Sequence, residues 1–250
     1  MRRGLRIAFL VDALQGRNGV GTYYQDLVAQ LDDQVERAML LCPSDKRPQW
    51  YQGFSIPMPG DTTQRVFMPR LRAVTSAIRE SRPDVIVVPV PGPYGALGFW
   101  LCRRYGIPLC ACYQTDYERL VEMYWHPWLA TLPIRFLKWW HGVFFRASAC
   151  VLTISKDMAV KARKVGVKRP HIVGTPLGVE FVRRPLRPMA NELRSVLFLG
   201  RLAAEKNIET LLEAAARLRH IHFYIAGDGP LREQVLEHAT TLPDLTYLGC

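Results

Sequence analysis

The chemistry in this sequence gathers at two places where an apolar run gives way to a short loop and then to a helical pattern. At residues 16–22, "GRNGVGT" has the glycine spacing of a phosphate-binding loop but lacks its lysine. Backbone N–H groups alone do not neutralise a nucleoside triphosphate, so this loop is not a complete P-loop. At residues 195–215, "SVLFLGRLAAEKNIETLLEAA" runs from a strand pattern through Gly200 and Arg201 to Lys206, Asn207 and a helix. A helix N-terminus attracts anions through its orphan N–H groups and dipole, an arginine adds a planar fork and a lysine a point charge. That set suits a diphosphate; the competing reading is a pair of surface cations screened by Glu205. Asp12 closes the first apolar run, where open α/β sheets place ligands, or else caps the turn that follows. Thr115 and Asp116 stand at the same place after the run Pro108–Tyr113, where either residue also suits a helix N-cap.

These residues need strands that end at one edge and helices that start there. Leu5–Val11 reads as a buried strand, and Val20–Leu31 carries apolar residues at helical spacing. Further strands are expected at Arg37–Cys42, Asp84–Val90, Pro108–Tyr113, Cys150–Ile154 and His171–Gly174. Helical segments are expected around 69–81, 95–105, 128–147 and 156–165, while 43–67, rich in Pro, Gly and polar groups, reads as a long loop. Apolar strands alternating with helices predict an α/β fold with a doubly wound parallel sheet. Pro176, Pro185 and Pro188 then interrupt any period, which places a linker at 175–194 between a first unit, 1–174, and a second, 195–250. The second unit restarts the pattern with strands at Ser195–Leu199, Ile221–Ala226 and Leu245–Leu248 and helices at Asn207–Leu218 and Pro230–Ala239.

Composition narrows the partners. The 250 residues are 49% apolar, enough for a proper core, and 33 Lys and Arg against 22 Asp and Glu give a formal charge of +11. Anionic partners follow: phosphorylated metabolites, acidic lipid surfaces or nucleic acid. Nucleic acid is not expected, because the basic runs lack interleaved aromatic platforms and no helix-turn-helix pattern emerges. A dinucleotide oxidoreductase is disfavoured because Gly19 and Gly21 are followed by Tyr24 where the GxGxxG turn needs its third glycine. The six cysteines lack CxxC spacing and sit mostly in apolar runs, so reduced, buried thiols, a cytosolic setting and no metal site are expected. No stretch reaches transmembrane length without a charge.

Taken together the motifs resemble the retaining glycosyltransferases of family 4, which pair two Rossmann-like domains in the GT-B arrangement. "GRLAAEKN" is similar to the family's donor-phosphate motif, and "FYIAGDGPLREQVLEHA" to its next strand, glycine loop and helix. "VDALQGRNGVGTYYQDL", "PGPYGALGFWLCRRYGIPLCACYQTDYERLVEMY" and "SACVLTISKDMAVKARKVGV" followed by "TPLGVEF" resemble the subset of diglycosyldiacylglycerol, sulfoquinovosyl and mannosyl transferases. The likeness spans almost the whole chain. It implies transfer of a hexose, with retention, from a nucleotide-sugar to a lipid or other acceptor, with the nucleotide-sugar as co-substrate and no cofactor or metal. Interdomain closure around the substrates is part of that scheme. Donor and phosphate contacts would come from Gly19, Gly21, Arg201, Lys206, Gly227 and Gly229, and acceptor contacts from Asp12, Asn18 and Thr115. Gln114, Asp116, Arg201 and Lys206 would carry the catalysis, the last two by stabilising charge on the departing diphosphate. Where the subset has Tyr-His-Thr this chain has Tyr113, Gln114 and Thr115, and glutamine cannot carry a proton. The family also continues to nucleotide-contacting segments and a pair of glutamates not found here, so the second domain is expected to be incomplete. A non-catalytic relative acting as a binding or scaffold module is the alternative.

One further stretch, "WHPWLATLPIRFLKWWHGVFFRA", sets Arg135, Lys138, His141 and Arg146 near one face, with Trp, Phe, Leu and Ile over the rest. Such a helix either lies in an anionic membrane interface or packs in the core with its cations at the exposed edge. Residues 161–187 add eight Lys or Arg against Glu180 alone. A cytoplasmic protein, peripheral at the inner face of the membrane, is the corresponding expectation.

Overall fold

The computed structural model describes residues 4–15, 19–58, 61–89, 92–124, 126–176 and 191–249. The chain divides into two compact units, residues 1–56 with 65–183, and residues 57–64 with 184–250. Most of the expected linker, 177–190, lies outside the described residues, as does the part of the basic run within it.

The first unit is built on a six-stranded sheet of β1 (Arg6–Leu10), β2 (Arg37–Leu41), β5 (Val85–Val88), β6 (Leu109–Tyr113), β7 (Cys150–Thr153) and β8 (Pro170–Ile172). Its order is β2-β1-β5-β6-β7-β8. Every neighbouring pair is parallel, with Phe9 opposite Leu40 and Val87, and Ala111 opposite Val151. Alternation along β1 sends Ala8 and Leu10 into one core and Ile7, Phe9 and Val11 into another, which is why the run is apolar throughout. On the first face lie α2 (Leu71–Ser81), α3 (Pro93–Tyr105) and α5 (Pro127–Ala147), contributing Val74, Ile78, Tyr94, Leu101, Phe144 and Phe145; on the second lies α1 (Gly19–Leu31), with Tyr24 against Phe9. Arg6 breaks the apolar run for a reason: its guanidinium pairs with both carboxylate oxygens of Asp84, and its N–H donates to the same side chain, pinning β1 to the start of β5.

Two elements depart from the sequence reading. Residues 43–67 are not a long loop: β3 (Gln52–Met58) and β4 (Asp61–Pro69) form a two-stranded ribbon. It is anchored by tertiary polar contacts that no local period reveals. The Tyr51 hydroxyl donates to the Cys42 carbonyl and accepts from its N–H, and the Gln52 amide exchanges hydrogen bonds with the Ser44 backbone. A short helix, α4 (Tyr117–Tyr124), follows β6 and packs on α5; α6 (Lys156–Lys164) starts at Ser155, whose hydroxyl accepts from the Met158 N–H.

The second unit holds three parallel strands, β9 (Ser195–Leu199), β10 (His222–Ala226) and β11 (Leu245–Gly249), in the order β11-β10-β9. Helices α7 (Ile208–Arg217) and α8 (Arg232–Thr241) bring Ile208, Leu212, Ala215 and Val235 onto Phe223 and Ile225. Only one face of this sheet is covered among the described residues; Leu197 and Leu199 remain 63% and 78% exposed. The five described cysteines are free, four of them buried, and burial raises the Cys42 and Cys102 thiols to about 12, so these are inert core residues.

Candidate functional site

In the first unit the chain turns opposite ways from β1 and β5, so their carboxyl ends form the topological switch point at which such sheets bind ligands. Asp12 stands there, already engaged. Its two carboxylate oxygens accept from the Tyr94 N–H at 2.7 Å and the Gly95 N–H at 3.0 Å, in the first turn of α3. It therefore caps a helix 82 residues away in the chain. Gly92 makes the approach feasible, since a Cβ there would lie 2.6 Å from the Asp12 carboxyl carbon. Burial pushes the Asp12 carboxyl up to about 7, against the downward pull of the Tyr94, Gly95 and Gly92 backbone N–H groups. The anion position of α3 is filled by the protein's own carboxylate.

The end of β6 collects the second group. Asp116 N-caps α4, accepting from the Arg119 N–H at 3.2 Å, and its other oxygen pairs with Lys161 of α6. Burial works to raise its pKa, but the Lys161 hydrogen bond and charge, with the Arg119 N–H and charge, outweigh it and hold the carboxyl low. Burial raises the pKa of the Tyr117 hydroxyl strongly, against the downward pull of the Thr115 side chain. The Gln114 amide nitrogen is buried without a hydrogen-bond partner among the described residues. Beside this group sits His141 of α5, 1% exposed, stacked on Phe145 and within 5.8 Å of the Tyr113 ring. Neither ring nitrogen has a hydrogen-bond partner among the described residues, and burial lowers the imidazole pKa to about 4 against the pull of Asp116. His141 thus leaves the cationic face on which the helical period put it. Lys161 and Tyr117 carried no sequence signal, because the ion pair spans 45 residues and α4 is too short to show a period.

Of the first glycine loop, Gly19 and Gly21 open α1, and Asn18 lies outside the described residues. A Cβ on Gly19 would meet nothing within 4 Å among the described residues, so their packing does not demand glycine there.

In the second unit Arg201 follows β9 directly, and its Nε and Nη2 both donate to Glu205 Oε1, at 3.0 and 2.7 Å. Lys206 is exposed and closes a 3-10 turn, Ala204–Lys206. Asn207, expected inside the helix, instead takes a left-handed conformation with φ 55° and precedes α7. Its side chain does not cap α7 but accepts from the Thr210 hydroxyl at 3.1 Å. The contrast between the units is electrostatic. The N-terminus of α3 is answered by Asp12, whereas that of α7 has no side-chain cap among the described residues and follows Arg201 and Lys206 in the chain. Gly227 and Gly229 serve this loop structurally. Both have positive φ, and Cβ atoms there would fall 1.8 Å from the Gly200 carbonyl oxygen and 2.3 Å from that of Leu202. The backbones after β9 and β10 are hydrogen-bonded to each other, Leu202 N–H to Asp228 O and Leu231 N–H to Leu202 O.

Two Rossmann-like units, the second opening on a cationic loop before an uncapped helix, are the ingredients of a GT-B glycosyltransferase. The chain belongs to the glycosyl transferase 4-like family, whose domain model matches residues 18–178, and a glycosyl transferases group 1 model matches residues 194–249. It is 27% identical over 266 residues to a GDP-mannose-dependent α-mannosyltransferase of Corynebacterium glutamicum, covering 99% of this chain and 62% of that protein. It is also 27% identical over 255 residues to the α-monoglucosyldiacylglycerol synthase of Streptococcus pneumoniae, covering 90% of this chain and 56% of the relative. The chain thus spans about 62% and 56% of the length of these relatives. In fold it is similar to HepE of Anabaena, solved with UDP-glucose, at a TM-score of 0.62 and 13% identity, over 98% of this chain and 69% of that one.

Proposed function

We propose that the chain is the acceptor-side domain and the opening of the donor-side domain of a retaining hexosyltransferase that moves a sugar from a nucleotide-sugar to a lipid acceptor. The observation that carries this reading is the α7 N-terminus, which no side chain caps among the described residues and which Arg201 and Lys206 precede. Arg201 exchanges Glu205 for a donor phosphate, Lys206 adds its charge from solvent, and the α7 N–H groups complete the set. The departing nucleoside diphosphate develops charge at that point, so fixed donors there favour the transition state over the bound donor. The reading assigns that task to protein groups rather than to a metal.

On the first unit, the carboxyl edge of the sheet receives the acceptor. Gln114 is the group there with a buried amide donor to offer, and Thr115 stands next to it. Asp12 and Asp116, each committed to a helix N-terminus, act as positioning residues that fix the loops around that edge. The α-monoglucosyldiacylglycerol synthase among the relatives supports a lipid acceptor, and with such an acceptor the chain would work peripherally at the cytoplasmic face of a membrane.

Isothermal titration of UDP and GDP tests the donor assignment, on this chain and on a polypeptide of its relatives' full length. Arg201→Ala and Lys206→Ala should each weaken nucleotide binding roughly 10- to 100-fold, the scale of a charge-assisted hydrogen bond. Unchanged affinity in both variants would remove the diphosphate site from α7.

A further inference from the structure

The α5 helix carries two apolar faces, and among the described residues only one is used by the fold. Its C-terminal half packs inward through His141, Phe144 and Phe145. Its other face presents Leu132, Phe136 and Trp139, which are 76%, 59% and 59% exposed. With half-exposed Val143, these residues are spaced by four, three and four, so they fall within roughly 60° of arc, opposite His141. Exposed Arg135 and Arg146 flank the stripe and exposed Lys138 extends that flank, while α5 contains no acidic residue. The neighbouring α4 carries Glu118 and Glu122 with Arg119, so the positive bias belongs to α5 itself.

Placement gives the stripe a direction. His141 lies beside Tyr113, the last residue of β6, and the chain leaving α5 returns to the start of that strand, where the Ala149 N–H donates to the Leu109 carbonyl at 2.8 Å. The turns before His141 therefore run past the carboxyl edge of the sheet, and Leu132 stands about 14 Å further along the helix axis. At its other end the stripe reaches a groove of about 420 Å³ between α3 and α5, where Arg103 and Arg146 border Phe99, Val143 and Ala147.

From this arrangement we infer that α5 docks the first unit onto an anionic lipid bilayer, with Leu132, Phe136 and Trp139 inserted at the headgroup level and Arg135, Lys138 and Arg146 against lipid phosphates. A soluble partner would need its own apolar surface and negative charge in register with both rows. A bilayer containing acidic lipid supplies both everywhere, and tryptophan favours that boundary. The surface is independent of the transfer reaction. It deepens the proposed function only by bringing the carboxyl edge of the first sheet to where a lipid acceptor lies.

Flotation of the 250-residue protein with vesicles of phosphatidylcholine, with and without phosphatidylglycerol, tests this directly and requires no turnover. Binding is expected with the acidic lipid at low salt and is expected to fall as salt rises. Leu132→Ser, Phe136→Ser and Trp139→Ser combined should reduce it at least about tenfold without changing the circular dichroism, because all three side chains are exposed. Arg135→Gln with Lys138→Gln should weaken binding about 30-fold, from roughly 1 kcal/mol per cation. Trp139→Phe keeps the stripe apolar, so it should bind as before but lose part of the fluorescence quenching by brominated acyl chains. The inference is overturned by failure of the unmodified protein to float with acidic vesicles, by serine variants that float equally, or by undiminished quenching in Trp139→Phe. Sedimentation as a dimer without vesicle binding would assign the stripe to a second copy and likewise overturn it. None of these outcomes bears on nucleotide binding, so the docking surface and the transfer reading fail separately.

Discussion

At the scale of the residue, the first unit pits two desolvated ionisable groups against each other. His141 has its pKa lowered to about 4, so the unfolded chain takes up a proton near pH 6.5 that the folded protein refuses. Its contribution is present above pH 6.5 and is lost as the pH falls toward 4, by about 3 kcal/mol in all. Asp12 has the opposite sign. With its carboxyl raised to about 7, the folded state keeps a proton that the unfolded chain has released, so its contribution is present at pH 4 and lost as pH rises through 7. Urea melts between pH 4.5 and 7.5 should separate the two. His141→Phe should remove the acid-side loss and leave stability at pH 7.5 no lower, since two buried nitrogens without a partner among the described residues disappear. Asp12→Asn should remove the loss at the alkaline side while weakening the α3 cap. A His141→Phe protein that keeps the acid-side loss would show that another group controls that limb.

At the scale of the element, strand-end loops are held by close backbone and side-chain approach, and glycine is the residue that permits it. Gly92→Ala would drive a methyl into the Asp12 carboxyl and should cost about 1–3 kcal/mol in thermal or urea melts. Gly227→Ala would strike the Gly200 carbonyl with φ at 140°, a backbone collision that no side-chain rotation relieves, and should cost more. Equal stability of the Gly227→Ala and unmodified proteins would contradict the packing of the β9 and β10 loops. The same elements show what periodicity can carry. Helices α2, α3, α5 and α6 were legible because their apolar faces repeat over two or more turns. The β3–β4 ribbon was not, because Tyr51 and Gln52 are tied to Cys42 and Ser44, while Phe54 and Ile56 stay 71% and 42% exposed and mimic a loop.

At the scale of the whole molecule, the two sheets are covered differently. Among the described residues the first is buried on both faces, and the second on one. In a polypeptide with the full length of the relatives, the proposed mechanism predicts turnover that persists in EDTA, because Arg201 and Lys206 bear the leaving-group charge. It also predicts a product with the anomeric configuration of the donor. Loss of turnover in EDTA, restored by a divalent ion, would move that charge to a metal. The family and the parallel α/β architecture were readable from the chain alone, because apolar runs, turn glycines and the Arg201–Lys206 spacing are local properties of contiguous residues. Folding decided what those residues face. Asp12 met α3 across 82 positions, Lys161 met Asp116 across 45, and His141 turned from an expected cationic face into an aromatic cluster. Such pairings depend on strand order and helix rotation, which set long-range distance and desolvation and leave no trace in spacing along the chain.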